Sequence, residues 1–142
     1  MIAGIASFVF IPLLAVFFAH LIWAFGAKWP MQDRDMLART VIGLDGAPRM
    51  PPRLVTLVFA LLTLYAGVVA LALSDPTPSA TDIAVGSALA VLLLVRGGAG
   101  YTAQWRKWRP AQPFAAMDRK YYSPLALYLG AGFAFLVIWR FV

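Results

Sequence analysis

The chain has no cysteine and only one histidine, and charged residues make up just 13% of its 142 residues. Without cysteine the chain cannot form a disulfide, a thiolate metal site, a thioether-linked haem or a cysteine nucleophile. A single histidine cannot ligate a haem from both sides. The six acidic residues are not spaced for a two-metal site. We therefore predict no metal site and no cofactor.

Apolar residues dominate instead, because 62% of the chain is hydrophobic, too much for a soluble globular domain. A membrane core about 30 Å thick requires roughly 20 apolar residues in a helix. Four segments approach that length, at about residues 2–26, 54–73, 83–101 and 124–142. The first lacks a basic leading region and an A-x-A site, so we interpret it as a span and not as a signal peptide. The sequence predicts an all-α, four-transmembrane-helix bundle, with residues 1–142 as a single membrane domain.

The formal charge of +6 is concentrated in two of the three connecting loops. Residues 27–53 contain five lysines and arginines, residues 102–123 contain another five, and residues 74–82 contain none. Loops rich in lysine and arginine stay on the cytoplasmic side of a membrane. We predict a multi-pass protein of the bacterial inner membrane, with loops 27–53 and 102–123 cytoplasmic and both termini on the outer side.

Aromatic residues accompany these cations. The stretch "QWRKWRP", residues 104–110, alternates tryptophan with cations and could in principle stack on nucleic-acid bases. Beside a membrane we expect it to lie among anionic lipid headgroups, where each cation contributes about 1 kcal/mol. We therefore expect the lipid bilayer, and no nucleic acid, as a partner. In loop 27–53, "DMLARTVIG" is either a short interfacial helix with Asp35 as its N-cap or an irregular loop.

The fourth segment has signals for both its start and its packing. We expect Ser123 to cap a helix with Pro124 at its first position. Ala126, Gly130 and Ala134 then form a ridge of small residues, which lets helix backbones approach closely. The ridge could pack within the chain, in a homo-oligomer or against another membrane protein.

Ionisable residues inside apolar segments are costly without partners. His20 lies six residues, about 9 Å, before Gly26, and Arg96 lies five residues, about 7.5 Å, before Tyr101. Both distances run from the cytoplasmic ends of the helices. Asp118 and Tyr122 enter at the same end. We predict that these four residues form a polar cluster, with Arg96 paired to Asp118.

Trp23 lies one helical turn from His20 and completes the set of ligand-binding candidates: His20, Trp23, Arg96, Asp118 and Tyr122. A purely structural role stays open, because Arg96 could extend to the interface and Asp118 could be an ordinary loop acid. No catalytic motif is recognisable, and the glycine-rich "RGGAGY", residues 96–101, does not match a phosphate-binding loop.

Two motifs carry a resemblance. The pattern H-x-x-W-A-x-G starts at His20, and F-x-x-x-D-x-x-x-Y-S-P-L starts at Phe114. Together with Arg96 and Gly97 they resemble a family of small four-helix bacterial membrane proteins of unknown function. The resemblance implies four spans and no known activity. Ala126 stands where that family typically has a cysteine, which argues against a role for a thiol here.

Three functions are compatible with these observations. We favour a small binding or accessory subunit whose cytoplasmic-side cluster holds a lipid headgroup or a small anion. The second is a membrane enzyme or proton-coupled carrier in which His20 and Asp118 exchange protons. The third is a structural subunit of a larger membrane complex that docks through the ridge at Gly130.

Overall fold

A computed structural model describes residues 1–44 and 49–142, and all the regular structure in them is helical. The predicted cytoplasmic loop 27–53 includes residues 45–48, which lie outside the described residues. The helices are α1 (Ile2–Ala24), α2 (Arg34–Val41), α3 (Arg53–Ala72), α4 (Ala80–Ala99), α5 (Ala103–Trp108), α6 (Phe114–Met117), a π-helical segment (Asp118–Tyr122) and α7 (Ser123–Ile138). Four stretches are long and apolar enough to cross a membrane: α1, α3, α4 and the continuous stretch Phe114–Ile138.

The first three predicted spans agree with α1, α3 and α4 to within a few residues, but the fourth helix begins at Phe114, well before residue 124. The prediction that Ser123 caps its start is wrong, because the helix runs through Ser123. Pro124 has no N–H, and its ring would clash with the carbonyl of Lys120 in a regular α-helix. The wider π turn just before it, in which the Ser123 N–H donates to the Asp118 carbonyl, accommodates this proline.

The long helices pack in two pairs. Helix α1 packs extensively on α3, and α4 packs extensively on α7. The contacts between the pairs, α1 with α7 and α3 with α4, are fewer. The shared apolar core includes Val9, Leu13, Val69, Phe133 and Leu136. These residues recur at helical spacing on the inward faces of three helices, so the core runs along the axis of the bundle.

Pro12 lies inside α1 and removes the N–H that would bond the carbonyl of Phe8. Tyr128 of α7 replaces that donor, because its hydroxyl donates to the Phe8 carbonyl at 3.0 Å. The bond satisfies a backbone acceptor that no water can reach in a membrane. It also joins the two helix pairs.

The predicted ridge of small residues lies inside the chain. Ala126 and Gly130 are buried, and Ala134 is partly buried against the core. A Cβ on Gly130 would lie 2.8 Å from the backbone nitrogen of Leu94, and one on Gly97 would lie 2.9 Å from that of Leu127. Because α4 already occupies this face, the ridge at Gly130 is not free to dock another protein.

The two long loops meet at one end of the bundle, where Arg109 Nη1 donates to the carbonyl of Ile42 at 2.6 Å. Helix α2 is present there, but its N-cap is Asp33, whose side chain accepts from the Met36 N–H, and not the predicted Asp35. The α3–α4 hairpin and both chain termini lie at the opposite end. Arg140, near the C-terminus, donates there to the carbonyls of Leu73 and Asp75.

Candidate functional site

The centre of the site is Asp118, which is 0% exposed. The π-helical segment places its carboxylate against α4 and α5. Arg96 Nη2 donates to Oδ1 at 2.5 Å, Trp105 Nε1 donates to Oδ2 at 2.9 Å, and Arg106 also donates to Oδ2. Ser123, on the next turn, donates its hydroxyl to Oδ1 at 3.2 Å. Both oxygens are therefore fully engaged, as a buried carboxylate requires.

Arg106 connects this carboxylate to the backbone around it. Besides its ion pair with Asp118, it donates to the carbonyl of Gly100 at 2.7 Å and to that of Ala115 at 2.9 Å. Gly100 lies so close to Ser123 that a Cβ there would overlap the hydroxyl, and it would lie 3.2 Å from Asp118 Oδ2. The position therefore requires glycine.

The site carries excess positive charge. Arg96 and Arg106 share one carboxylate, so this group has a net charge of about +1. The ion pairs of Arg96 and Arg106 with Asp118 are the two salt bridges found among the described residues. Arg109 adds a further cation, which bonds only to a backbone carbonyl in the described part of the chain. The guanidinium carbons of Arg96 and Arg109 lie 4.5 and 5.8 Å from the ring centre of Trp105, whose π electrons attract both.

A cavity of about 530 Å³ adjoins these cations. It lies between α1 and α3 on one side and α4, α5 and α6 on the other, and the end of α2 and the loop after it contribute to its wall. The described residues that line it are His20, Trp23, Val41, Ile42, Leu44, Met50, Pro51, Thr56, Phe59, Arg96, Trp105, Arg109 and Phe114. The volume suits a small ligand, and the walls are mostly apolar with a few polar groups, as in typical binding sites.

His20 lines the cavity but does not contact the carboxylate. Its Nδ1 lies 2.9 Å from the carbonyl of Val16, one turn back on α1. Since a carbonyl only accepts, Nδ1 carries a proton, which leaves Nε2 as the acceptor when the ring is neutral. The ring centre lies 5.1 Å from that of Trp23 and 6.2 Å from that of Phe59. Trp23 is buried, and its Nε1 donates to the carbonyl of Trp29 at 2.7 Å.

Tyr122 supports the site from outside the cavity. Its hydroxyl donates to the carbonyl of Thr40 at 3.2 Å, and its ring centre lies 5.8 Å from that of Phe114. These contacts attach α2 to the π-helical segment. Gly43, with φ of +72°, follows α2 and packs so tightly on the Phe114 ring that no Cβ would fit.

The expected four-residue cluster is therefore divided. Arg96 and Asp118 form the predicted ion pair. Hydrogen bonds join neither His20 nor Tyr122 to that pair, because each bonds to a backbone carbonyl instead. The idea that Asp118 exchanges protons with His20 does not fit this geometry. Asp118 is also not an ordinary loop acid, because it is inside a helix and fully buried.

Sequence reasoning missed three contributors to the site, namely Trp105, Arg106 and Arg109. We expected them to lie among headgroups as part of "QWRKWRP", whereas α5 folds over the end of the bundle and directs them inward. One usable signal was their density, because three cations and two tryptophans lie within residues 104–110, close in sequence to Asp118.

The donor set suits an anion better than a metal. Within residues 1–44 and 49–142, no three histidine or acidic side chains come together as a metal site would need. The cavity instead presents two guanidinium groups and one imidazole beside aromatic walls. Guanidinium groups bind carboxylate and phosphate oxygens by charge-assisted hydrogen bonds.

Fold and site together define a small helical protein with four potential membrane spans and a cationic cavity at the end where its two long loops meet. The chain belongs to the family described as "Protein of unknown function (DUF3995)", whose model matches residues 13–133. This match confirms the resemblance to a family of unknown function. Among curated proteins and among solved structures, none matches the chain.

Proposed function

We propose that this chain is a small binding or accessory subunit of the bacterial inner membrane whose cavity holds an anionic group, either a lipid headgroup or a small anion. The observation that carries the proposal is a cavity of about 530 Å³ with both Arg96 and Arg109 in its wall. Among the described residues, the carboxylate that pairs with these cations is Asp118, which is fully buried and shared between Arg96 and Arg106, so this group leaves a net cation for a ligand.

Arg96 can serve the ion pair and a ligand together. A guanidinium has five N–H donors. Arg96 uses Nη2 on Asp118 and Nη1 on Ser123, at 3.3 Å, and its side chain remains 30% exposed. Asp118 thus orients the arginine, while the exposed edge is available to ligand oxygens.

Topology supports a ligand on the cytoplasmic side. The loops that enclose the cavity are the two cation-rich ones, and such loops face the cytoplasm. On this proposal the α3–α4 hairpin and both termini lie outside. The cavity then lies at the level of the inner-leaflet headgroups, which are the anionic groups nearest to it.

The test compares Arg109→Gln with Arg119→Gln. Both changes remove one cation from residues 102–123, but Arg109 lines the cavity whereas Arg119 is exposed outside it. Calorimetric titration at fixed ionic strength uses two phosphate probes, inorganic phosphate and dihexanoylphosphatidic acid. Loss of a charged hydrogen bond costs about 1.5–3 kcal/mol, so we expect at least about tenfold weaker binding in Arg109→Gln and unchanged binding in Arg119→Gln.

Thermal unfolding of both variants checks that the protein remains folded. The proposal fails if neither probe binds, or if Arg109→Gln and Arg119→Gln bind both probes equally well.

A further inference from the structure

Phe59 of α3 belongs both to the cavity wall and to the exposed part of the chain. This residue lines the cavity and is also 53% exposed. It lies six residues after Arg53, where α3 begins, or about 9 Å along the helix axis. The cavity therefore reaches the surface within a candidate membrane span, at a depth where the surroundings of the protein are lipid.

Exposed apolar residues continue from this point along α3 and α4. The two helices contact each other near their hairpin, where Leu73 packs against Gly86, but share few contacts overall. Leu62 lies one turn further along α3 from Phe59, and Leu92 lies one turn before Arg96 on α4, both toward the middle of the helices. They are 55% and 63% exposed. Their positions indicate an apolar groove between α3 and α4 that continues from the cavity toward the middle of the two helices.

This arrangement has separate places for a charged head and an apolar chain. The cations Arg96 and Arg109 lie at the loop end of the cavity, and the apolar walls extend from there toward the middle of the membrane. The positive charge of the cavity favours a ligand with an acidic headgroup. The apolar groove favours a ligand whose acyl chain is already in the bilayer. A free anion would use only the first of these features.

We infer that the occupant is an acidic membrane lipid that enters sideways between α3 and α4, with its phosphate or carboxylate at Arg96 and Arg109 and an acyl chain along Leu62 and Leu92. This inference rests on the proposed function and narrows it to one source of the anion. It also explains why the cavity opens beside Phe59, within a span.

The test measures the contributions of the acyl chains and of the anionic headgroup to binding separately. Dihexanoylphosphatidic acid and inorganic phosphate share the anionic group but differ in acyl chains. Burial of two or three methylene groups strengthens binding about tenfold or more, so the wild-type protein should bind the lipid at least about tenfold more tightly than phosphate. Dihexanoylphosphatidylcholine, which has the same chains and no net charge, should bind at least about tenfold more weakly than the acidic lipid.

Two tryptophan substitutions locate the chain. Leu62→Trp fills the groove, whereas Leu61→Trp changes a neighbouring residue of similar exposure, 53%, on another face of α3. Leu62→Trp should weaken binding of the acidic lipid about tenfold and leave that of inorganic phosphate unchanged. Leu61→Trp should change neither.

Equal affinity for the lipid and inorganic phosphate, or equal effects of Leu62→Trp and Leu61→Trp, would overturn the inference while leaving an anion site in place. Binding of neither phosphate probe by the wild-type protein would overturn the proposed function as well.

Discussion

Replacing Asp118 with asparagine removes the charge that holds Arg96, Arg106, Trp105 and Ser123 together while keeping the size of the side chain. An amide has one acceptor oxygen, and its NH₂ group would face donors. Two guanidinium groups would then repel each other across a site whose centre is 0% exposed. The substitution therefore tests whether the carboxylate organises this end of the bundle.

The expected size of the effect follows from burial. Removing one partner of a buried ion pair typically costs about 3–5 kcal/mol. The side chains of Arg96 and Arg106 are 30% and 23% exposed, so water relieves part of the unpaired charge. We therefore expect Asp118→Asn to lower the free energy of unfolding by about 3 kcal/mol, the low end of that range. For a chain of this size, the melting temperature should fall by about 10 °C.

The assay is thermal unfolding in mild detergent, followed by circular dichroism. Asp82→Asn is the matched control, because Asp82 is a partly exposed acid that accepts from Ser79 in the capping box of α4. Its loss should cost about 1 kcal/mol or less. If Asp118→Asn is no more destabilising than Asp82→Asn, the carboxylate does not hold the site together.

Two further changes test packing and topology. Gly100→Ala places a methyl group against Ser123 and should cost about 1–3 kcal/mol, whereas Gly98→Ala, where a Cβ meets nothing within 4 Å, should be neutral or stabilising by up to about 1 kcal/mol. Equal melting temperatures for the two variants would contradict the close approach of the end of α4 to the start of α7. Because the chain has no native cysteine, Thr77→Cys and Lys107→Cys each provide a unique thiol. In intact cells a membrane-impermeant maleimide should label only Thr77→Cys. Labelling of Lys107→Cys alone would show that the topology is opposite to the predicted one.

The sequence predicted the helical segments well because apolar runs about 20 residues long have few alternatives to a spanning helix. The predicted start of the fourth helix, at residue 124, was too late because "YSPL", residues 122–125, has the pattern of an N-cap followed by proline. The π turn that carries the helix through Pro124 has no such local pattern. Four potential spans are confirmed, whereas the sides of the membrane on which the termini lie stay a prediction.

The ion pair of Arg96 with Asp118 was predictable because a charge inside a span needs a partner and few acids are near in topology. The remaining partners of Asp118 were not, since Trp105 and Arg106 reach it only when α5 folds back over the bundle. That fold depends on long-range contacts such as the bond from Arg109 to Ile42. Residue spacing along the chain carries no information about such contacts.

The most direct test of the account is native mass spectrometry of the protein extracted from its own membranes in mild detergent, with Arg109→Gln and Arg119→Gln analysed in parallel. The account predicts one discrete bound mass, that of an acidic lipid, on the wild type and on Arg119→Gln, and its loss from Arg109→Gln. A bare wild-type chain, or the same bound mass on all three proteins, would contradict the claim that the cationic cavity is a binding site.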